Sequence, residues 1–170
     1  MPKSAPQCVS VLVRARESRM ANSKLATLLR NELESNGYQI EIRPDHKDFI
    51  CVESPSKYAD IMPYTFILCR GATVLVMGMV DLAMARNKYA CDDADVAYAL
   101  TQVSFLVGQT GIRVEIKDGE IILHSTLKAG FLQNLFSPVY NRVYDVMVAI
   151  HGGVQEMNDE LSRLVRNKSA

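Results

Sequence analysis

The segment from Cys91 to Gly130 most constrains what this chain can fold into, because a capped helix pattern in it leads directly into a hairpin pattern. Asp92, Asp93 and Asp95 stand at its start, where carboxylates favour the first turn of a helix. Apolar residues then recur at helical spacing up to Val107. They are Val96, Ala99, Leu100, Val103, Phe105, Leu106 and Val107.

The second half of the segment has the alternation of a β-hairpin. Ile112, Val114 and Ile116 alternate with polar residues, and Glu120 to His124 returns as a second strand. Asp118-Gly119 lies between them, and this dipeptide favours a type I′ turn, which needs positive φ at both central residues. The sequence therefore predicts a helix followed by an antiparallel hairpin.

A helix and four strands are predicted before this segment. The helix is expected from Ser18 to Asn36, where Asn36-Gly37 provides a C-terminal stop. The strands are expected at Tyr38 to Arg43, Phe49 to Glu53, Tyr64 to Cys69 and Thr73 to Val80. The last strand is almost continuously apolar, which suggests that both of its faces are covered.

A long amphipathic helix is predicted near the C-terminus, where an apolar stripe runs from Val139 to Leu164. Gly152-Gly153 lies inside the stripe, and glycine is unfavourable in a helix interior by about 1 kcal/mol relative to alanine. A break or a close contact with another element is expected there. Asp81 to Cys91 fits either a short helix or a simple crossover.

The predicted fold class is α+β, with an antiparallel sheet packed against helices. No linker or internal repeat divides the chain, so residues 18–165 are predicted to form a single domain. Residues 1–17 are expected to form a flexible or irregular N-terminal segment, in which Val9 to Val13 fits either a strand or the start of a helix. Residues 166–170 are expected to form a C-terminal tail.

The order of these elements resembles the YbjN family of proposed bacterial sensory-transduction regulators, which shares its fold with class I type III secretion chaperones. The resemblance rests on Leu33 to Tyr38 at the end of the first helix, the strands at 39–43 and 49–53, and the helix-hairpin from Asp92 to Thr126. It covers residues 18–165. It implies an α/β sandwich that commonly dimerises and holds other proteins, with no catalytic residues to carry over.

Composition narrows the classes of partner. Lys and Arg together number 19, as do Asp and Glu, so nucleic acid is not an expected partner. No window approaches the roughly 18 consecutive apolar residues of a membrane span, so no membrane partner is expected. The four cysteines are far apart in the sequence and form no CxxC pair. They are interpreted as reduced thiols, and the protein as cytoplasmic.

The charge is less even near the N-terminus. Residues 1–30 contain six basic side chains against Glu17 alone. A basic arm for an acidic partner, a transit-type leader and a solvated helix face all fit this pattern, and the solvated face is the commonest of the three. The basic residues are Lys3, Arg14, Arg16, Arg19, Lys24 and Arg30.

Several groups of residues could bind a metal or provide a reactive side chain, but each has a structural explanation that is more common than the functional one. His46 lies between Asp45 and Asp48, but such a cluster is also typical of a turn, and a divalent metal needs three or four convergent ligands. Cys91 at a helix N-terminus could have a lowered pKa, yet the acidic residues that follow oppose that effect. Those carboxylates are themselves explained by helix capping. No catalytic, cofactor-binding or metal-binding residue is therefore assigned.

The predicted function is a non-catalytic regulatory or chaperone-like protein-binding domain that forms a homodimer. Its binding surfaces are expected on the apolar strand face, where Met77 and Met79 lie, and on the helix from Asp92 to Val107. The alternative is a small-ligand sensor or an enzyme with a pocket between the sheet and the last helix. The first polar candidates for that pocket are His46, His124, His151 and Arg70.

Overall fold

A computed structural model describes residues 24–41, 48–53, 61–129 and 138–168. The elements within these ranges are helices and the strands of an antiparallel sheet, so the α+β prediction is confirmed. The helices are α1 (Lys24–Ser35), α2 (Leu82–Tyr89), α3 (Asp93–Gly108) and α4 (Val139–Lys168). The strands are β1 (Ile40–Glu41), β2 (Phe49–Val52), β3 (Tyr64–Arg70), β4 (Thr73–Asp81), β5 (Arg113–Lys117) and β6 (Glu120–Lys128).

The sheet has six strands in the order β1-β2-β3-β4-β6-β5, and every neighbouring pair is antiparallel. The longest ladder joins β4 to β6, from Thr73 opposite Lys128 to Asp81 opposite Glu120. Side chains alternate between the two faces along each strand, so residues that pair across the ladder share a face. The register therefore defines which residues of all six strands face the same side.

The main core lies between one face of the sheet and the helices. Alternate strand residues such as Ile67, Val76 and Leu123 join one cluster with buried residues from α1, α2, α3 and α4. We call this side of the sheet the helix face. Leu29 and Leu33 of α1 are members of the same cluster, which explains why the apolar residues of the first helix recur at helical spacing.

Turns and caps form where the sequence predicts them. Gly37 has φ of +84°, and the N–H of Tyr38 donates to the Leu33 carbonyl, as in a glycine-terminated helix. Asp118 and Gly119 both have positive φ, as a type I′ turn requires. The segment that could be either a helix or a crossover contains α2, which is capped by the Asp81 carboxylate at the Ala83 and Met84 N–H groups.

The last helix is continuous through Gly152-Gly153, so no break occurs there. The close contact that was the other expectation is present, because a Cβ added at Gly153 would lie 2.9 Å from a methyl group of Val107 and 3.1 Å from one of Leu123. Helix α4 also continues to Lys168, beyond the predicted domain end at Val165. The predictions for Val9 to Val13, for residues 18–23 and for Ile42-Arg43 lie outside the described residues.

Candidate functional site

The side of α3 that points away from the core carries apolar residues that are exposed to solvent. Phe105 is 78% exposed and Leu106 is 53% exposed, and Tyr98 is also exposed. Thr101 and Gln102 lie between them and are exposed as well. We call these five residues the outer α3 face. No charged residue occurs in the sequence between Asp95 and Arg113, so this face is uncharged along most of its length.

Phe105 and Leu106 correct part of the sequence interpretation, which counted both among the apolar residues at helical spacing. The buried residues of α3 are Val96, Ala99, Leu100, Val103 and Val107, together with Asp95. Each residue turns the helix by about 100°, so Phe105 points roughly opposite to them. The seven-residue interval between Tyr98 and Phe105, in a stretch without charge, is the sequence signal that could have identified this face.

The N-terminal end of α3 is fixed by a capping box. The Asp95 N–H donates to the Asp92 carboxylate at 2.9 Å, and the Asp92 N–H donates to the Asp95 carboxylate at 3.1 Å. Lys168 at the end of α4 donates to Asp95 at 2.7 Å. The Asp95 N–H and then Lys168 hold the pKa of Asp92 below its usual value. Asp92 and Asp95 therefore cap α3, as predicted.

The outer α3 face borders charged residues of α4. The Arg163 guanidinium donates two hydrogen bonds to the Glu160 carboxylate, at 2.5 and 3.0 Å. Glu160 and, to a lesser extent, a hydrogen bond with Tyr98 raise the pKa of Arg163. The uncharged face thus has a polar edge on the side where α3 and α4 pack together.

The face of the sheet opposite the helices holds a second, smaller apolar cluster. It consists of Cys51, Phe66, Met79 and Ile122, with Phe49 and Met77 packed against them. The register places them on one side, because Cys51 pairs with Phe66, Phe66 with Met77, and Met79 with Ile122. We call this side the open sheet face. Phe49 and Phe66 stack there with ring centroids 5.2 Å apart.

Carboxylates gather at one end of the open sheet face. Asp81 pairs with Glu120 across β4 and β6, and Asp118 lies in the adjoining turn. Burial, followed by the charges of Asp81 and Asp118, raises the pKa of Glu120. We call these three residues the acidic rim. Lys117 is the register partner of Glu120 across β5 and β6, so a basic residue of this chain lies beside these carboxylates.

Of the polar residues proposed for a pocket, the three that the structure describes do not meet. His124 pairs with Met77 and therefore lies on the open sheet face, where its Nε2 is 3.8 Å from a Glu115 carboxylate oxygen. His151 lies on the helix face, with its Nε2 3.0 Å from the Thr65 hydroxyl, and burial lowers its pKa. The two histidines are thus separated by the sheet. Arg70 is exposed at the end of β3.

Two of the thiols that the structure describes, Cys69 and Cys91, have raised pKa values. Burial, followed by the charge of Asp95, raises the pKa of Cys91, which agrees with the prediction of an unreactive thiol. Burial raises the pKa of Cys69 to about 12. His46 and Asp45 lie outside the described residues, so the cluster at His46 is not assessed. Among the residues that are described, no three His, Cys, Asp or Glu side chains converge as a metal site would require.

The space between the sheet and α4, where a pocket was the alternative, is tightly packed at its centre. Gly78 of β4 faces Ile150 of α4 so closely that an added Cβ would clash with the Ile150 side chain. The contacts of Gly153 with Val107 and Leu123 fill the next turn of α4 in the same way.

None of the helices in the described ranges has the length and hydropathy needed to cross a lipid bilayer.

Comparison with known proteins gives similarity in fold only. No protein-family model matches the chain, and no curated protein matches it. The crystal structure of YbjN from E. coli, a proposed transcription regulator, is similar with a TM-score of 0.45 and 11% identity, over 88% of this chain and 96% of that one. An uncharacterized protein from Methanothermobacter thermautotrophicus has the same TM-score and identity, over 78% of this chain and 97% of that one. YbjN is thus among the solved structures that this chain resembles, in agreement with the resemblance in the sequence, and no residue role follows from either.

Proposed function

We propose that this protein is a non-catalytic, chaperone-like or regulatory protein-binding domain that acts as a homodimer in the cytoplasm. The observation that carries the proposal is the outer α3 face, an uncharged helix surface with Phe105 almost fully exposed. Exposed apolar patches of this kind mark interaction sites in soluble proteins. The buried free thiols Cys69 and Cys91 are compatible with a reducing compartment.

A second copy of the same chain is the occupant that the outer α3 face fits best. Tyr98 and Phe105 are separated by two helical turns, with Thr101 and Gln102 midway between them. If two α3 helices pack antiparallel about a two-fold axis at that midpoint, Tyr98 of each copy lies against Phe105 of the other. An isologous interface needs this kind of self-complementary surface.

The charges at the two ends of α3 also match in an antiparallel pair. Asp92 and Asp93 are exposed at the N-terminal end, where Asp92 pairs with Lys168 and Asp93 pairs with Arg86 of the same chain. Arg113, the first residue of β5, is exposed beyond the C-terminal end. A helix of 16 residues is about 24 Å long, so antiparallel packing brings the acidic end of one copy near Arg113 of the other, which would add a further basic group to these pairs.

The open sheet face is the second surface in the proposal, and it would receive an apolar polypeptide segment. Phe49 and Met77 are partly exposed there and supply an aromatic and a thioether group that adapt to different apolar side chains, whereas Phe66 and Met79 are almost completely buried. The packing of Gly78 against Ile150 counts against the alternative of a ligand pocket on the other side of the sheet. A binding role therefore accounts for more of the observed surface than an enzymatic role does.

Light scattering and sedimentation of the full chain test the dimer. We expect a mass of twice the 18.9 kDa chain at micromolar concentration. Phe105→Asp should weaken dimerisation about 30-fold or more, because losing a central aromatic anchor at an interface costs at least about 2 kcal/mol. Leu28→Asp is the matched control, since Leu28 is an exposed leucine on α1. A wild-type monomer at tens of micromolar, or equal effects of the two variants, would contradict the proposal.

A further inference from the structure

We infer that the end of α1 and the start of α4 form a binding site for a quaternary ammonium group, built from Tyr38, Tyr140, Tyr144 and Glu32. We call these four residues the tyrosine site. The faces of tyrosine rings attract cations, and quaternary ammonium groups are typical ligands of clustered aromatic rings. The tyrosine site does not include the outer α3 face, so it does not depend on the proposed function.

Two of the rings stack on one another along α4. The ring centroids of Tyr140 and Tyr144 are 6.4 Å apart, and the ring planes are inclined by 28°. Their separation of four residues places both side chains on the same side of the helix. Tyr140 packs against the main core, whereas Tyr144 is 41% exposed. The stacked pair therefore extends from the core to the solvent.

Tyr38 brings a third ring to the same place from the end of α1. The N–H of Tyr38 donates to the Leu33 carbonyl at 3.1 Å, which holds this residue directly beyond the helix, and Tyr38 packs against the same core cluster as Tyr140. Burial, followed by the charges of Tyr144 and Tyr140, raises the pKa of Tyr38. The three phenol groups are therefore close neighbours.

The end of α1 carries negative charge that the helix itself does not offset. The C-terminus of a helix has a partial negative charge, which basic residues in the last turn usually balance. The last turn of α1 contains Glu32 and Glu34 and no basic residue. Its carbonyl groups are capped by neutral donors, since the side-chain amide of Asn36 donates to the Glu32 carbonyl at 2.7 Å. A cation bound at this end would be favoured.

Glu32 connects this charge to the rings. Burial raises the pKa of Tyr140, and the charges of Tyr144 and then Glu32 raise it further. Among the described residues, the groups that shift the pKa values of Tyr38 and Tyr140 include no basic side chain. The tyrosine site thus combines three electron-rich rings with a carboxylate, and it has the charge that an external cation would complement.

The arginines of α1 and α4 that are closest in the sequence make contacts with the sheet instead. The Arg142 guanidinium donates to the Lys128 carbonyl of β6 at 2.9 Å. The charge of Arg30 acts on Cys69 of β3. Of the possible cations, a divalent metal ion needs about six oxygen ligands, which one carboxylate and three phenols do not supply. A quaternary ammonium group needs no hydrogen-bond acceptor, and its methyl groups fit against ring faces.

A titration of the full chain with tetramethylammonium chloride, followed by NMR, tests the tyrosine site. We expect saturable shifts of the ring protons of Tyr140 and Tyr144 with a Kd of about 1 to 10 mM, as a few partly exposed cation–π contacts allow. Sodium chloride at the same ionic strength measures the effect of salt alone. Tyr144→Leu should weaken binding about fivefold or more, whereas Tyr144→Phe keeps the ring and should change it by less than about twofold.

Two further variants separate the tyrosine site from a general effect of aromatic or acidic residues. Tyr64→Leu is the matched control, because Tyr64 on β3 is 43% exposed, much as Tyr144 is, and this variant should bind like the wild type. Glu32→Gln keeps the shape of the side chain and removes its charge, so it should weaken binding about threefold. If Tyr144→Leu does not fold, Glu32→Gln decides, and unchanged binding in Glu32→Gln would then contradict the inference.

Choline and a short peptide that contains Nε-trimethyllysine distinguish two sources of the quaternary ammonium group. Tighter binding of choline assigns the tyrosine site to a small molecule, and tighter binding of the peptide assigns it to a methylated partner chain. Either result supports the site. The same peptide with unmodified lysine should bind more weakly, because a primary ammonium group is more strongly hydrated.

Three results would overturn the inference. The first is the absence of saturable shifts up to about 100 mM tetramethylammonium, far above the expected Kd. The second is an equal set of shifts with sodium chloride, which would mean that the tyrosines respond only to ionic strength. The third is an equal loss of binding in Tyr144→Leu and Tyr64→Leu, which would mean that the cation binds tyrosines wherever they are exposed.

Discussion

The two faces of the sheet are built from the same kinds of side chain, but they differ in how those side chains are packed. On the helix face, Gly78 and Gly153 allow Ile150 and Leu123 to approach so closely that a methyl group would not fit without movement. On the open sheet face, the smaller cluster around Phe66 is bordered by the charged acidic rim. The difference indicates that close, shape-specific packing holds the helix face together, whereas the open sheet face carries a smaller apolar cluster beside charged residues.

The largest expected effects come from two neighbouring residues of β6 that point to opposite faces. Leu123→Ala removes a fully buried side chain from the helix face and should lower the free energy of unfolding by about 3 kcal/mol. Ile122→Ala on the open sheet face should cost less, about 2 kcal/mol, because Ile122 is 8% exposed and belongs to the smaller cluster. Urea unfolding of both variants measures the difference. Equal losses would show that the two faces are packed alike.

A polar contact within the helical layer should give the next largest effect. Asn158 of α4 is buried, accepts a hydrogen bond from the Tyr89 hydroxyl at 2.8 Å and donates one to the Ile61 carbonyl at 2.8 Å. Asn158→Leu should lower the free energy of unfolding by about 2 kcal/mol, because the Tyr89 hydroxyl and the Ile61 carbonyl would each lose a hydrogen-bond partner. Tyr89→Phe removes only one of the two bonds and should cost about 1 kcal/mol. An unchanged free energy of unfolding in Asn158→Leu would show that the helical layer tolerates the loss of these hydrogen bonds.

The smallest expected effect is a dependence of stability on pH through His151. Burial lowers the pKa of His151 in the folded protein below its usual value, so the unfolded chain binds a proton more readily. The contribution of His151 to the free energy of unfolding is therefore fully present above about pH 6.5, and it decreases as the pH falls toward the folded-state pKa. The urea midpoint should fall slightly more between pH 7.5 and 5.5 in the wild type than in His151→Gln. The same dependence in both proteins would exclude His151 as its source.

Local signals in the sequence predicted most of the fold. The capping residues of α3, the turn at Asp118-Gly119 and the glycine stop after α1 are decided by neighbours along the chain, and all three occur as expected. The distribution of apolar residues between surfaces was harder to predict. Phe105 continues an apolar pattern, yet only the direction from which α4 and the sheet approach α3 decides that it stays exposed. The open sheet face depends on strand register, which a single sequence does not specify.

The central ladder of the sheet has a consequence for the order in which the chain folds. β4 pairs with β6, although α2, α3 and β5 lie between them in the sequence. Bringing β4 and β6 together closes a long loop, and this loss of chain entropy precedes the stabilising contacts of the ladder. The hairpin of β5 and β6, in contrast, closes across two residues. We therefore expect the hairpin and the preceding helices to form first, and the joining of β4 to β6 to be the slow step that completes the sheet.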